Sequence, residues 1–399
     1  MIRPADRTRF RWLVLSVFVL STAINYLDRQ TLATLAPVLR GEFQISNAQY
    51  GLILTAFSIT YAASAPAAGM LIDRLGLNRA ISLAIGLWSC AGIATGFTRG
   101  LSGLVGCRAV LGASEAAGIP AAGKAIHQYL NSPERALGNA LNQAGVSLGL
   151  IVAPPVATLL AVRSGWRGAF VVTGVLGLAW IPVWNWVARQ AHGIPAPKVE
   201  IAGTAGMIRD PRLWAFVAAN ALSMIGYSLW TNWTTLYLAD VEHLSFVEAN
   251  FRYAWIPPVF ATVGGLAGGW LSLRFVNRGV APAAARFRVC VAAAVLSLAT
   301  AAVPLTPTAA WASALISVSI FAVSAFSVNM YTLPLDTFGG ARAAFAVSIL
   351  VASYGAIQAI VSPGFGKVID LYGYAPLAFL ASVTPFAACF VLWRTRSVR

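Results

Sequence analysis

The stretch WLVLSVFVLSTAINYLDRQTLATLAP, Trp12–Pro37, decides how the chain is read. It is long enough to cross the apolar core of a bilayer as a helix, which takes about 20 residues. Yet it carries an acid, Asp28, beside a base, Arg29. Burying either in an apolar medium is costly unless a partner is supplied. The rest of the chain must therefore be searched both for more stretches of this kind and for the partners.

Comparable apolar windows recur as far as residue 393. Of the 399 residues 58% are hydrophobic and 10% charged, against about 25% charged in a soluble domain. The runs are continuous and do not alternate, which excludes a strand barrel. The first run lacks a short apolar core ending in a small-residue cleavage site, so it reads as a first span and not as a removed leader. The expectation is an all-α polytopic membrane protein. Its twelve spans are placed at residues 12–37, 48–72, 80–98, 101–123, 136–161, 168–188, 212–238, 249–273, 287–304, 309–333, 342–367 and 375–393.

A net charge of +15 would point to nucleic acid in a soluble protein. Here the bases are sorted by side. With both termini inside, 20 of the 28 Lys and Arg fall on the cytoplasmic side. They include Arg74, Arg79, Lys124, Arg135, the linker base Lys198, and the terminal Arg3, Arg396 and Arg399. The basicity encodes orientation by the positive-inside rule, and no nucleic-acid partner is expected. Only Arg29 and Arg108 lie well inside a span. Cys90, Cys107, Cys290 and Cys389 have no metal or redox spacing and read as packing residues. His127, His192 and His243 fall outside the spans, so no histidine proton relay, metal site or cofactor is expected.

The longest connection, RQAHGIPAPKVEIAGTAGMIRDP, is polar, proline-rich and central. It divides the chain into an N-terminal six-helix bundle at residues 1–188, a cytoplasmic linker at 189–211 and a C-terminal six-helix bundle at 212–399. Internal repeats support two halves. GMLIDRLG at 69–76 parallels GWLSLRFV at 269–276, with Leu273 where Asp73 would be. APPVATLLAVRSGWRGAF at 153–170 parallels SPGFGKVIDLYGYAPLAF at 362–379. Repeated six-helix halves are a transporter signature, with the site near mid-membrane.

Asp28 and Arg29 find candidate partners in the fourth span, CRAVLGASEAAGIPAAGKAI. Arg108 and Glu115 are seven apart, so they share a helix face about 10 Å apart along the axis. Two acids and two bases on two helices sum to zero only while both acids are ionised. Protonating one carboxylate releases an arginine to hold another anion, and Arg offers a fork of donors matched to a carboxylate. The plainer alternative is a charge cluster that only fixes helix packing.

GMLIDRLGLNR, at 69–79, resembles the cytoplasmic loop motif of the major facilitator superfamily. NYLDRQTL, RAVLGASEAAGIPAAGKA, NSPERALGNALNQAGVSLGLIVAPP and YTLPLDTF together resemble its anion:cation symporters, in particular the bacterial hexuronate and galactonate type. The resemblance implies the two-bundle major facilitator fold and proton-driven symport of sugar acids. It implies proton coupling at Asp28 and Glu115, a substrate carboxylate on Arg29, and Arg108 paired with the acids. Leu273 departs from the pattern, and SEAAGIP is smaller at its centre, which would widen the pocket.

Arg108 is also placed among the substrate-binding residues beside Arg29; the further candidates are Tyr26, three before Arg29 on the same face, Tyr61 in the second span, and the amides Asn142 and Gln143 in the fifth. Trp230 and Asn232 in YSLWTNWTTLY, and Tyr354 and Gln358 in SYGAIQAI, complete the set. Aromatics and amides suit a polyhydroxy anion, although Trp and Tyr near span ends also form the interface belt. Glu134, Arg135 and Asp336 are expected to pair with Asp73 and Arg74 as a gate, with Lys124 a topogenic anchor and Asp370 an outer-end charge. The expected protein is a monomeric inner-membrane carrier of a small organic anion and protons. The rival readings are an anion exchanger or efflux antiporter, and, in another class, a membrane receptor or enzyme. No Walker loop and no Ser/His/Asp or metal constellation supports a pump or an enzyme.

Overall fold

The computed structural model describes residues 4–191, 206–338 and 340–394. Most of the expected linker, with His192 and Lys198, lies outside the described residues. So do Arg3, Arg396, Arg399 and the side chains of Arg7, Arg9 and Arg342.

Every element among the described residues is a helix. Ten described stretches are long and apolar enough to cross a membrane. One of them, Leu137–Gln190, holds two crossings, because the helix breaks at Gly165. The expected span at 101–123 supplies the twelfth as two shorter helices. The chain is a polytopic, all-α membrane protein of twelve spans.

The chain forms two compact units. The first takes Met1–Ile45 and Leu52–Lys198, the second Ser46–Gly51 and Val199–Arg399. In chain order the first holds α1 (Pro4–Thr34), α2 (Ala36–Phe43), most of α3 (Asn47–Leu75), α4 (Leu77–Thr95), α5 (Leu101–Glu115), α6 (Gly118–Tyr129) and α7 (Arg135–Gln190). Its core gathers Phe18, Trp88, Tyr129, Trp180 and Trp184. Trp180 and Trp184 stack with ring centres 5.3 Å apart. Trp180 Nε1 donates to Val17 O at 2.7 Å, which pins the end of α7 to α1.

Glycines set how closely these helices approach. A Cβ on Gly112 of α5 would run into the Phe57 carbonyl and the Thr60 hydroxyl of α3. One on Gly149 of α7 would meet Ala23 O and the Tyr26 side chain of α1. These contacts draw α5 against α3, and α7 against the charged part of α1. The fourth expected span is interrupted immediately after Glu115. Pro120 has no N–H to return to the carbonyl of Ala116, and the chain restarts as α6 at Gly118.

The second unit holds α8 (Pro211–Asp240), α9 (Phe246–Glu248), α10 (Ile256–Asn277), α11 (Pro282–Ser297), α12 (Ala309–Phe338), α13 (Gly340–Tyr372) and α14 (Ala375–Arg394). A π-helical turn, Ala249–Ala254, precedes Pro257 and Pro258, which lack the N–H groups that would continue a regular ladder. The core is built on Phe216, Phe326, Met330, Leu350 and Leu392. Asn220 Nδ2 ties α8 to α13 through Leu350 O at 2.9 Å and Ser353 Oγ at 3.0 Å. The second sequence repeat carries through to the backbone. Gly165 and Gly373, each followed by an aromatic residue, both take positive φ, 73° and 72°.

The first turn of α3 is capped from a distance. Asp370 of α13 accepts from the Asn47 N–H at 3.1 Å, from Asn47 Nδ2 at 2.9 Å and from the Ala48 N–H at 3.0 Å. Helix N-termini leave such N–H groups unpaired and favour a carboxylate. Gly366 and Gly51 let α13 and the α3 start meet backbone to backbone. Asp370, expected only as an outer-end charge, is thus a structural cap.

Two substitutions test these packing arguments. Gly112→Val should lower the melting temperature of the detergent-purified protein by the equivalent of about 1–3 kcal/mol of overpacking; an unchanged melting curve would remove the close α3–α5 approach. Asp370→Ala leaves the first-turn donors without their carboxylate and should cost about 1–3 kcal/mol, whereas Asp370→Glu should restore part of the loss.

Candidate functional site

The site is built on α1. Its apolar face anchors it, and near its end the sequence NYLDR presents two faces of different character. Arg29 faces α5, where its Nε and Nη2 both donate to Glu115 Oε2, at 2.9 and 2.7 Å. Three rings surround the guanidinium: its carbon lies 4.8 Å from the Tyr26 and Phe57 ring centres and 5.2 Å from that of Tyr61. A cation at this distance from aromatic faces gains about 0.5–2 kcal/mol per contact. Phe57 and Tyr61, one turn apart on α3, also stack on each other at 5.7 Å. Glu115 is 1% exposed. Its Oε1 makes no hydrogen bond of normal geometry, and the Asn25 amide, also without one at Nδ2, lies beside it.

The other two charges stand behind this pair. Asp28 is 4% and Arg108 3% exposed. Arg108 Nη1 donates to Arg29 O at 3.5 Å, so it braces the backbone at Arg29. Asp28 has Thr173, Glu115 and Arg108 as its electrostatic neighbours. The Thr173 hydroxyl gives its own proton to Phe170 O at 3.3 Å. The four charges meet, and they form two layers.

Arg29 and Glu115 border a cavity of about 310 Å³ within the first unit. Tyr26, Tyr61, Asn142 and Gln143 line it too, as do Asn25, Trp88, Thr22 and Asn139, which sequence reasoning had not singled out. Arg108, expected to touch substrate, does not line the cavity; its length is used to reach the Arg29 carbonyl. Two signals were available for the omitted residues. Asn25 lies one turn before Arg29, and Asn139 precedes Asn142 and Gln143 by a helical step. Phe57 offered none, since an aromatic in a span is ordinarily packing.

The remaining candidates lie in the second unit. Tyr354 meets Tyr227 edge to face at 6.0 Å, and Gln358 is half-buried with its carbonyl accepting from Ser362 Oγ at 2.6 Å. Two expectations are corrected. Trp230 is 1% exposed and packs on Tyr237, so it belongs to the core. Asn232 turns its Nδ2 back to Ser228 O of its own helix at 2.9 Å, which engages the amide expected for a substrate.

The gate pairing is corrected as well. Asp73 pairs with Lys124, 2.8 Å away, and Lys124 also donates to Ile72 O at 2.9 Å. Lys124 therefore satisfies the end of α3 in addition to neutralising Asp73. Arg74 is exposed. Glu134 caps its own turn by accepting from the Asn131 N–H at 2.9 Å, and faces Arg11 at 3.9 Å. Arg135 donates to Leu130 O at 3.4 Å. Asp336 pairs with Arg286 of α11, Nη2 to Oδ1 at 3.1 Å.

The model of the Major Facilitator Superfamily matches residues 18–350. The hexuronate transporter of Escherichia coli K12 is 27% identical over 406 residues, spanning 96% of this chain and 93% of that protein. The probable sulfoacetate transporter of Cupriavidus necator is 28% identical, spanning 94% and 91%. Among solved structures, a bacterial homologue of the human lysosomal transporter Spinster, inward-facing and unoccupied, superposes with a TM-score of 0.81 at 21% identity, covering 100% of this chain and 98% of that one. That likeness is one of fold. The chain belongs to the Major Facilitator Superfamily, a family of membrane transporters and not of enzymes.

Proposed function

We propose that the chain is a proton-coupled symporter of a sugar acid, such as a hexuronate or an aldonate. It works by alternating access in the inner membrane, as a monomer with both termini cytoplasmic. The observation that carries this reading is the Arg29–Glu115 pair at the wall of a polar-lined cavity. Glu115 holds both donors of the fork that a substrate carboxylate would need. A proton on Glu115 weakens that hold, and the carboxylate of the substrate takes its place.

Charge balance couples the two events. A proton entering with one carboxylate leaves the buried sum unchanged, whereas either charge alone would be expensive at membrane depth. Asp28, in the layer behind, is the second proton-coupling group, and Arg108 keeps Arg29 in place through its carbonyl. Tyr26 and Tyr61 bring hydroxyls beside Arg29, and Asn142 and Gln143 bring amides, the equipment for hydroxyl groups on the cargo. The names of the relatives agree with an organic anion.

Arg29→Ala should weaken sugar-acid binding at least about tenfold, as loss of a charge-assisted hydrogen-bond pair implies, with the protein still monodisperse. Arg29→Lys should restore charge without the planar fork and recover only part of the affinity. Unchanged affinity in the alanine variant would take Arg29 out of the site.

Glu115→Gln mimics the protonated acid. In proteoliposomes it should still exchange preloaded sugar acid but no longer accumulate it under an imposed pH gradient. Retained accumulation would move the coupling proton to another carboxylate.

A further inference from the structure

We infer that the cavity selects sugar acids bearing one carboxylate and a neutral polyol tail, and that the end formed by Thr22, Asn139, Asn142 and Gln143 turns away a second anionic group. This rests on the sugar-acid reading above and deepens it.

The charged residues lining the cavity are Arg29 and Glu115, of opposite sign. Arg29 stands at one end. Thr22 is seven residues earlier on α1, on the same face and about 10 Å along the axis. Opposite Thr22, α7 presents Asn139, Asn142 and Gln143 at the i, i+3, i+4 spacing that makes one face. The Thr22 hydroxyl donates to Asn142 Oδ1 at 2.9 Å. That bond fixes which way the amide turns, so Nδ2 is the group it offers elsewhere.

A carboxylate held by the Arg29 fork directs the rest of a six-carbon acid along α1 toward these amides. Hydroxyls suit them, since each donates and accepts and so do amides. A second carboxylate would be stripped of water beside neutral groups, with no second cation lining the cavity among the described residues.

Galactonate, galacturonate and galactarate share a carbon skeleton and differ in their acidic ends. Isothermal titration of each against the full-length purified protein should give binding of galactonate or galacturonate, with galactarate at least about tenfold weaker, or 1.4 kcal/mol. Equal or tighter galactarate binding overturns the inference while leaving the sugar-acid reading intact. If none of the three binds, the sugar-acid reading fails and the inference falls with it. Asn142→Lys and Asn139→Lys place a cation at the far end, and either should shift the galactarate-to-galactonate affinity ratio toward galactarate. An unchanged ratio in both folded variants would overturn the role given to these amides.

Discussion

The structure turns on one ion pair, a guanidinium and a carboxylate joined at the edge of an apolar helix bundle. Neither Arg29 nor Glu115 could be kept at this depth alone. Each surrounding feature lowers the cost of keeping both. Tyr26, Phe57 and Tyr61 give the cation aromatic faces. Arg108 spans to the Arg29 carbonyl, and Gly112 and Gly149 bring α3 and α7 close enough for the rings and the acid to meet. Glu115 is the last residue of α5, so its carboxylate stands at the end of that helix.

Much of the fold was legible. Continuous apolar runs gave the number of spans, and the Gly–aromatic pairs gave two of the reversals. Boundaries within spans were harder. The break at 116–117, the π-helical turn at Ala249–Ala254 and the tight helical stretch Leu298–Leu305 all lie close to prolines. A proline signals a disturbed ladder without saying whether the helix kinks, tightens or stops.

The site was legible as a set of residues and not as an arrangement. Spacing of seven puts Arg108 and Glu115 on one face, but which of them reaches a void depends on rotamers and on the neighbouring helix. The structure separates four charges of equal standing in sequence into a facing pair and a supporting pair. Side chains that bond to their own or nearby backbone escaped notice for a related reason. Asn232 to Ser228 O and Glu134 to the Asn131 N–H are local competitions that composition does not decide. Lys124 escaped for the opposite reason: its partners, Asp73 and Ile72 O, lie about fifty residues away on another helix.

The cap that Asp370 provides has a consequence for spectroscopy. The Asn47 and Ala48 amide protons would ordinarily trade with solvent deuterium quickly, because the first turn of a helix offers them no carbonyl. Here they are bound by a side chain 323 and 322 residues away. Their exchange rates therefore report on how firmly Asp370 of α13 holds the first turn of α3, and two isotope-labelled positions suffice to read it.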